Sequence, residues 1–262
     1  MDALVVIRTY LRLGILNVVQ YRADFFLQVA SICIGLGAAL LGLGVVFGQT
    51  EQVGGWTQTD LVALIGIQML VRGLISLVVR PSMVQLMEGI RQGTLDFMLT
   101  KPADSQLLAS VAQVNVAAIA DVAAGIGVLA FALVTLGGSI GLAEAAGFTI
   151  VLLAGLVIIY SFLLLLSTCA FWFVKLDNIL VIFNTMFDGA GSWPITIYPG
   201  WMRVSLTFVI PVAFAITIPA QSLTGRLTPG VAIGAVALAA GFAVAARWFW
   251  RFGLKHYTGA SA

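Results

Sequence analysis

The amino-acid sequence reads as an all-α polytopic membrane protein with six transmembrane helices, and three observations carry that reading. Five stretches run twenty residues or more without a charge: Phe25–Thr50, Val122–Ala143, Ala145–Val174, Val204–Gly225 and Leu227–Ala246. Each suffices to cross about 30 Å of bilayer hydrocarbon, which takes about 20 helical residues. Hydrophobic residues make up 61% of the chain, charged residues 9%, and mean hydropathy is +1.07, which is more apolar surface than a soluble domain of 262 residues can bury. The basic residues also alternate in position. Arg8, Arg12 and Arg22 come first, the loop 49–60 has no Lys or Arg, Arg80, Arg91 and Lys101 follow the second apolar run, and the loop 137–146 again has none. With Lys175, Arg247, Arg251 and Lys255 further on, the positive-inside rule puts both termini in the cytoplasm, which requires an even number of crossings. A net charge of +2 offers no basic field for nucleic acid.

Residues 1–24 read as an amphipathic helix along the cytoplasmic interface, because Leu4, Ile7, Leu11, Ile15 and Val18 recur at helical spacing beside Arg8 and Arg12. A solvated helix packed on the spans fits the same pattern. No secretory cleavage pattern is present, so retention of this segment is expected. Spans are expected at 25–48, 60–79, 107–136, 147–173, 178–196 and 229–250, with a cytoplasmic loop over 80–106 and a tail over 251–262. Gly44 with Gly48, and Gly230 with Gly234, have the four-residue spacing that permits close helix contact in lipid. Cys33 and Cys169 lie in apolar spans without metal-ligand spacing and read as packing residues.

The stretch 175–226 is the difficult one, because Pro194, Pro199, Pro211 and Pro219 interrupt it and a regular helix cannot run through. Two readings fit. In the first, 178–196 is the fifth crossing and 197–228 a re-entrant outer segment; in the second, 203–220 is the fifth crossing and 178–200 stays on the cytoplasmic side. The first leaves both Arg203 and Arg226 outside and the second only Arg226, so charge slightly favours the second.

Enzyme chemistry finds no support. The single histidine, His256, lies in the tail, neither cysteine has a base near it in sequence, and no phosphate-binding G-x-x-x-x-G-K-[ST] is present. Energy must therefore come from another chain or an ion gradient. Intramembrane ionisable residues mark coupling sites, and three qualify: Arg72, Asp121 and Asp188. Arg72 and Asp121 read as a buried ion pair between neighbouring helices. Asp188, with Asn184 and the glycines Gly189 and Gly191, reads either as a helix break lining a path or as a polar helix end. Trp193, Tyr198 and Trp201 either line a substrate exit or sit at the membrane interface as such aromatics commonly do.

The loop after the second span is the richest in local information. A helix ending near Gly93, with Met83, Leu86, Met87 and Ile90 on one side and Glu88 and Arg91 at the rim, is expected to present apolar knobs to a partner groove or to rest on the membrane interface. Here Glu88-Gly-Ile-Arg91-Gln-Gly93-Thr-Leu-Asp96, followed by Lys101-Pro102, resembles the E-x-x-R-x-G-T-L-D…KP pattern of type-2 ATP-binding-cassette (ABC) exporter permeases. Trp193-Pro-Ile-Thr-Ile-Tyr-Pro199-Gly-Trp201 with Phe208-Val-Ile-Pro211 and Ile218-Pro219-Ala220 resembles the Y-P…W…F-x-x-P…P-A segment of that family. Arg247-Trp-Phe-Trp-Arg251-Phe-Gly253-Leu-Lys-His-Tyr257 is similar to the basic tail of its uncharacterised and drug-resistance-like branch.

The resemblance implies a six-span permease subunit of an exporter. Glu88, Arg91, Gly93, Asp96 and Lys101 would then form a cytoplasmic coupling helix region on which an ABC ATPase subunit, present in two copies, docks. ATP and Mg would bind that partner, with no cofactor in this chain. A second permease, either a copy or a related chain, completes the assembly in the inner membrane. The family also places a re-entrant hairpin before the last span, which favours the first reading of 175–226. The rival from another class is an ion-coupled secondary transporter using Arg72, Asp121 and Asp188, which would call for inverted repeats that the halves do not display.

Overall fold

A computed structural model of the protein describes residues 22–135, 141–173 and 177–257. The first 21 residues, which carry most of the expected interfacial helix, lie outside the described residues, as do Lys175 and the last five residues of the tail. Among the described residues, besides short 3-10 turns at Cys169–Phe171 and Ile195–Ile197, the helices are in order α1 (Arg22–Phe47), α2 (Gln58–Arg91), α3 (Asp96–Leu99), α4 (Ser105–Ser110), α5 (Val116–Thr135), α6 (Leu142–Thr168), α7 (Asp177–Gly191), α8 (Gly200–Val209), α9 (Ala213–Leu223) and α10 (Pro229–His256). Five of them, α1, α2, α5, α6 and α10, are long and apolar enough to cross a membrane, and the bent pair α8–α9 makes up to six. The protein is an all-α polytopic membrane protein. α7 has 15 residues, about 22 Å, and falls short of a full hydrocarbon crossing by itself.

Two boundaries differ from expectation for one physical reason. α2 does not stop at residue 79 but runs unbroken through Pro81 to Arg91, 34 residues in all. Proline has no N–H, and its ring collides with the carbonyl four residues back, here that of Leu77. The helix widens into a π-turn over Ile75–Val79, and the orphaned Leu77 carbonyl accepts from the Asn115 amide at 2.8 Å. Asn115 is available because the expected span 107–136 is itself interrupted: α4 ends at Ser110, and α5 begins only at Val116. Buried Ser82 reinforces the join, its hydroxyl donating to the Gln113 carbonyl at 3.0 Å and accepting from the Gln113 amide at 3.2 Å.

Glycines set the closest helix approach. A Cβ on Gly66 or Gly73 of α2 would meet the backbone of Leu129 or Val122 of α5 at 2.7 Å, and one on Gly125 of α5 would meet the Leu70 amide nitrogen at 2.4 Å. In lipid, where no hydrophobic force drives helices together, this backbone proximity is what holds them. The pairs picked out by four-residue spacing play no such part. Gly44, Gly230 and Gly234 have open space where a Cβ would be, and Gly48 meets only the backbone of its own helix. Cys33 is exposed on α1 rather than packed, whereas Cys169 donates to the Leu165 carbonyl.

Two sets of contacts fix the ends of the bundle. At the start of α2, Thr57 and Asp60 form a capping box, the Arg226 guanidinium reaches Asp60 Oδ2 at 2.8 Å and lies 4.8 Å from the Trp56 ring centre, and Trp56 Nε1 donates to Thr196 Oγ1 at 3.0 Å. Residues flanking both limbs of the α8–α9 pair thus meet at one place. The pair bends by 84° around Pro211, and α9 lies beside α6, with Gly155 against Phe214 and Ala215 and Gly147 against Ser222. At the opposite end, Arg247 of α10 grips Asp104 through both guanidinium nitrogens at 2.5 and 3.0 Å, and buried Trp250 donates to Ser105 at 3.2 Å.

The glycine contacts give a direct test. Gly125→Ala is expected to destabilise the detergent-solubilised protein by about 1–3 kcal/mol, the usual cost of overpacking, while Gly234→Ala leaves the thermal midpoint unchanged. Equal midpoints for both variants would mean that α2 and α5 are not in backbone contact.

Candidate functional site

A cleft of about 990 Å³ opens between α1, α2, the start of α5 and the end of α7. One face of α1 supplies Gln28, Ser31, Gly35, Ala39 and Gly42, which recur at helical spacing. α2 supplies Gln68, Arg72, Ser76 and Arg80, spaced four residues apart. Four-residue steps drift by about 40° around an α-helix. The π-turn at Ile75–Val79 holds five residues rather than four in its hydrogen-bonded ring, so it takes up part of that drift and keeps Arg80 in the cleft.

The expected pair of Arg72 and Asp121 forms at this site, with Arg72 Nη2 donating to Asp121 Oδ1 at 2.8 Å. The second carboxylate oxygen accepts from Gln28 Nε2 at 2.9 Å, so one buried carboxylate ties three helices together. Asp188 and Trp193 also line the cleft. Gln68 positions that corner by donating to the Asp188 carbonyl at 2.8 Å and to Ser192 Oγ at 3.3 Å. Asn184 and Trp201, expected to share the site, do not: neither lines the cleft, and Trp201 is exposed on α8.

Arg80 is the residue that the sequence reading misplaced, having assigned it to the cytoplasmic loop. Its Nε and the Oδ1 of Asp188 are both buried without a hydrogen-bond partner, and the two side chains stand in each other's electrostatic field. Four ionisable groups therefore gather where sequence counted three. The signal was present in the four-residue spacing, but a helix ending before Pro81 conceals it. Among the described residues no group of His, Cys, Asp or Glu is arranged to hold a metal ion.

The other candidate region is the end of α2 and the loop beyond. Glu88 accepts from Arg91 and Gln92 along the surface of the last turn. Gly93 has φ of 71°, and around it Thr94 N–H donates to the Gly89 carbonyl at 2.9 Å and Gly93 N–H to that of Ile90 at 3.3 Å, the two bonds of a Schellman cap. Its place in the E-x-x-R-x-G-T-L-D pattern is thus that of a helix stop, after which Leu95 is buried and Asp96 opens α3. Lys101 is exposed in the turn that follows.

The apolar knobs are elsewhere than expected. Met83, Leu86 and Met87 are buried in the protein's own core, so that stripe is not offered to a partner. Phe97, 76% exposed, and Leu99 are the apolar side chains that α3 presents outward. Because α2 continues directly from the membrane-spanning segment, its inner face packs on the bundle, a constraint that local amphipathicity does not reveal.

The chain is a multi-pass membrane protein with a polar cleft and a charged loop on one of its spanning helices. A family model described as ABC-2 family transporter protein matches residues 33–261, and the chain belongs to that family. Its members are ABC transporter permeases, which work with an ABC ATPase. No curated protein and no solved structure matches the chain.

Two measurements probe this geometry. Asp121→Ala, which strands Arg72 and Gln28, is expected to cost about 3 kcal/mol. Arg72→Ala should cost less, and the double variant less than the sum; strict additivity in detergent melts would show that the residues are not paired. Asp104, bonded to Arg247, has its carboxyl held below the usual carboxylate range. A depressed carboxylate pKa stabilises the fold above the ordinary range, near pH 4, and that contribution is lost as pH falls through the folded-state value. Protection of the amides in 100–110, relative to their intrinsic exchange at each pH, should therefore fall on acidification and the fall be absent in Asp104→Asn; identical protection profiles would refute the linkage.

Proposed function

We propose that this chain is the permease subunit of an ABC exporter that moves an amphiphilic or hydrophobic substrate out across the plasma membrane. ATP and Mg act in a separate ATPase subunit present in two copies, and a second permease, identical or related, completes the transporter. Glu88, Arg91, Gly93, Asp96 and Lys101 form the docking region for the ATPase.

The observation that carries the reading is the continuity of α2. One helix bears Arg72 and Arg80 in the cleft and Glu88 and Arg91 at its exposed end. Arg80 and Arg91 are separated by about 16 Å of helix axis. A partner that displaces the end of α2 thereby displaces the wall of the cleft, and the π-turn over Ile75–Val79 offers a place to bend. No covalent step is needed in this chain.

In this reading the Trp56 end faces outward and the α3–α4 end faces the cytoplasm, where the termini also lie. α7, extended by residues 192–197 towards Trp56, is the fifth crossing, and α8–α9 dips into the outer leaflet and returns. The charge count that spoke against this arrangement loses its force. Arg226 is paired with Asp60, and Arg203 donates to the carbonyls of Thr196 and Tyr198 at 2.8 and 3.4 Å. Buried Ala215, Ile216, Pro219 and Ala220 keep the irregular backbone of the returning limb away from lipid, as membrane depth demands.

Charge reversal by Glu88→Lys or Arg91→Glu should lower ATP-coupled transport by at least about tenfold, through like-charge contact at the docking surface, with insertion and abundance unchanged. Unchanged coupling in both variants would remove the docking assignment.

A further inference from the structure

The substrate class can be read from the charges of the cleft, an inference that rests on the exporter reading above. Arg72 and Asp121 neutralise each other, and each Asp121 oxygen already accepts a hydrogen bond within the protein. What remains is one guanidinium, Arg80, and one carboxylate, Asp188, each with a buried polar atom that has no hydrogen-bond partner and neither in an ion pair among the described residues. Unpaired polar atoms at membrane depth are costly and are retained where function uses them. A ligand that satisfies both must offer an acceptor to Arg80 and a donor to Asp188, and an anionic acceptor with a cationic donor makes the strongest bonds to the pair.

The two groups also stand at different depths. Gln68 holds the Asp188 carbonyl, and Arg80 lies twelve residues further along the same helix, so the carboxylate stands nearer the Trp56 end and the guanidinium nearer the α3–α4 end, each within the other's electrostatic field. Beyond the level of Asp188, towards the Trp56 end, the cleft wall is apolar, with Leu36, Ala39, Leu43 and Ile65. Read from the apolar end, the wall runs hydrocarbon, carboxylate, guanidinium. We infer that the cleft binds an amphiphile with a zwitterionic head, whose cationic group lies next to the tail at Asp188 and whose anionic group lies beyond it at Arg80.

Three dodecyl probes test this without knowledge of the natural ligand: N-dodecyltaurine, in which a secondary ammonium adjoins the tail and the sulfonate ends the head, a dodecylammonium salt and a dodecyl sulfate. Binding at trace mole fraction to the full-length protein in lipid nanodiscs, without ATP, is read by native mass spectrometry. The zwitterionic probe should bind about tenfold more tightly than either singly charged probe, equivalent to about 1.4 kcal/mol. Arg80→Gln should remove its advantage over the ammonium, and Asp188→Asn its advantage over the sulfate. Equal binding of the three probes to the unaltered protein, a comparison that requires no variant to fold, would overturn the inference, as would variants with unaltered preferences. Co-purifying lipid whose cationic group lies nearer the tail than its anionic group, displaced by the zwitterionic probe, marks the membrane as the source of the ligand, and a cleft filled only on addition marks an amphiphile from outside; a phospholipid with phosphate next to its tail, held in the cleft and displaced by the probe, would overturn the charge order. An unselective cleft combined with coupling lost on reversal of Glu88 or Arg91 leaves the exporter reading intact and sinks this one, and selective binding with coupling unchanged does the opposite.

Discussion

Backbone hydrogen bonding in a medium without water is the constraint on which the rest of this structure depends. Inside hydrocarbon each unpaired N–H or C=O costs several kcal/mol, so a proline in a span must be compensated within the protein. This chain meets the problem three times in a related way. π-turns at Ile75–Val79, Ser205–Val209 and Ala213–Thr217 each end two residues before a proline, at Pro81, Pro211 and Pro219. The outcome differs with the surroundings. At Pro81 the Asn115 amide takes the released carbonyl and the helix continues; at Pro211 the chain turns by 84°. Had α2 broken at Pro81, the cleft and the charged loop would have stood on separate elements.

The cleft exists because α1, α2 and α5 are drawn together at one level and held apart at another. Gly66, Gly73 and Gly125 bring α2 and α5 into backbone contact, and α1 is attached through Gln28 to the same Asp121 that holds Arg72. Much of α1 is exposed, with Leu43 buried and Ile32, Leu36, Ala39 and Phe47 packed against the core, so the Gln28 contact fixes a helix whose apolar seam is thin. Buried ion pairs contribute little net stability, because desolvation offsets attraction. Their value here is positional, since an Asp with both oxygens committed fixes three helices relative to one another.

The two ends of the bundle are closed differently. At the Trp56 end, Asp60 serves both the helix cap and Arg226, and the Trp56 ring lies between that guanidinium and Thr196, so the hairpin, α7 and α2 share one polar knot. At the other end Arg247 joins α10 to the cap residue of α4, which itself accepts from the Leu107 amide at 3.1 Å. That second contact is exposed, but it does not stand alone, since Arg247 also donates to Gln106 at 2.9 Å and buried Trp250 donates to Ser105 at 3.2 Å.

Much of this was determined by sequence alone. Apolar runs specify which segments lie in lipid because transfer from water is additive along the chain, and Gly93 marks a helix stop because a left-handed residue costs other amino acids about 1–2 kcal/mol. The pairing of Arg72 with Asp121 was legible too, since isolated charges at such depth must find each other. Tertiary structure alone decided the rest: that α2 passes through Pro81, that Gly66 and Gly125 rather than Gly44 and Gly234 pack, that Met83 and Leu86 face inward, and that Arg80 joins Asp188 in the cleft. Each of these depends on a group supplied from far along the chain, such as the Asn115 amide or the backbone of Leu129. Local rules count what a segment lacks, and only the fold determines which distant group provides it.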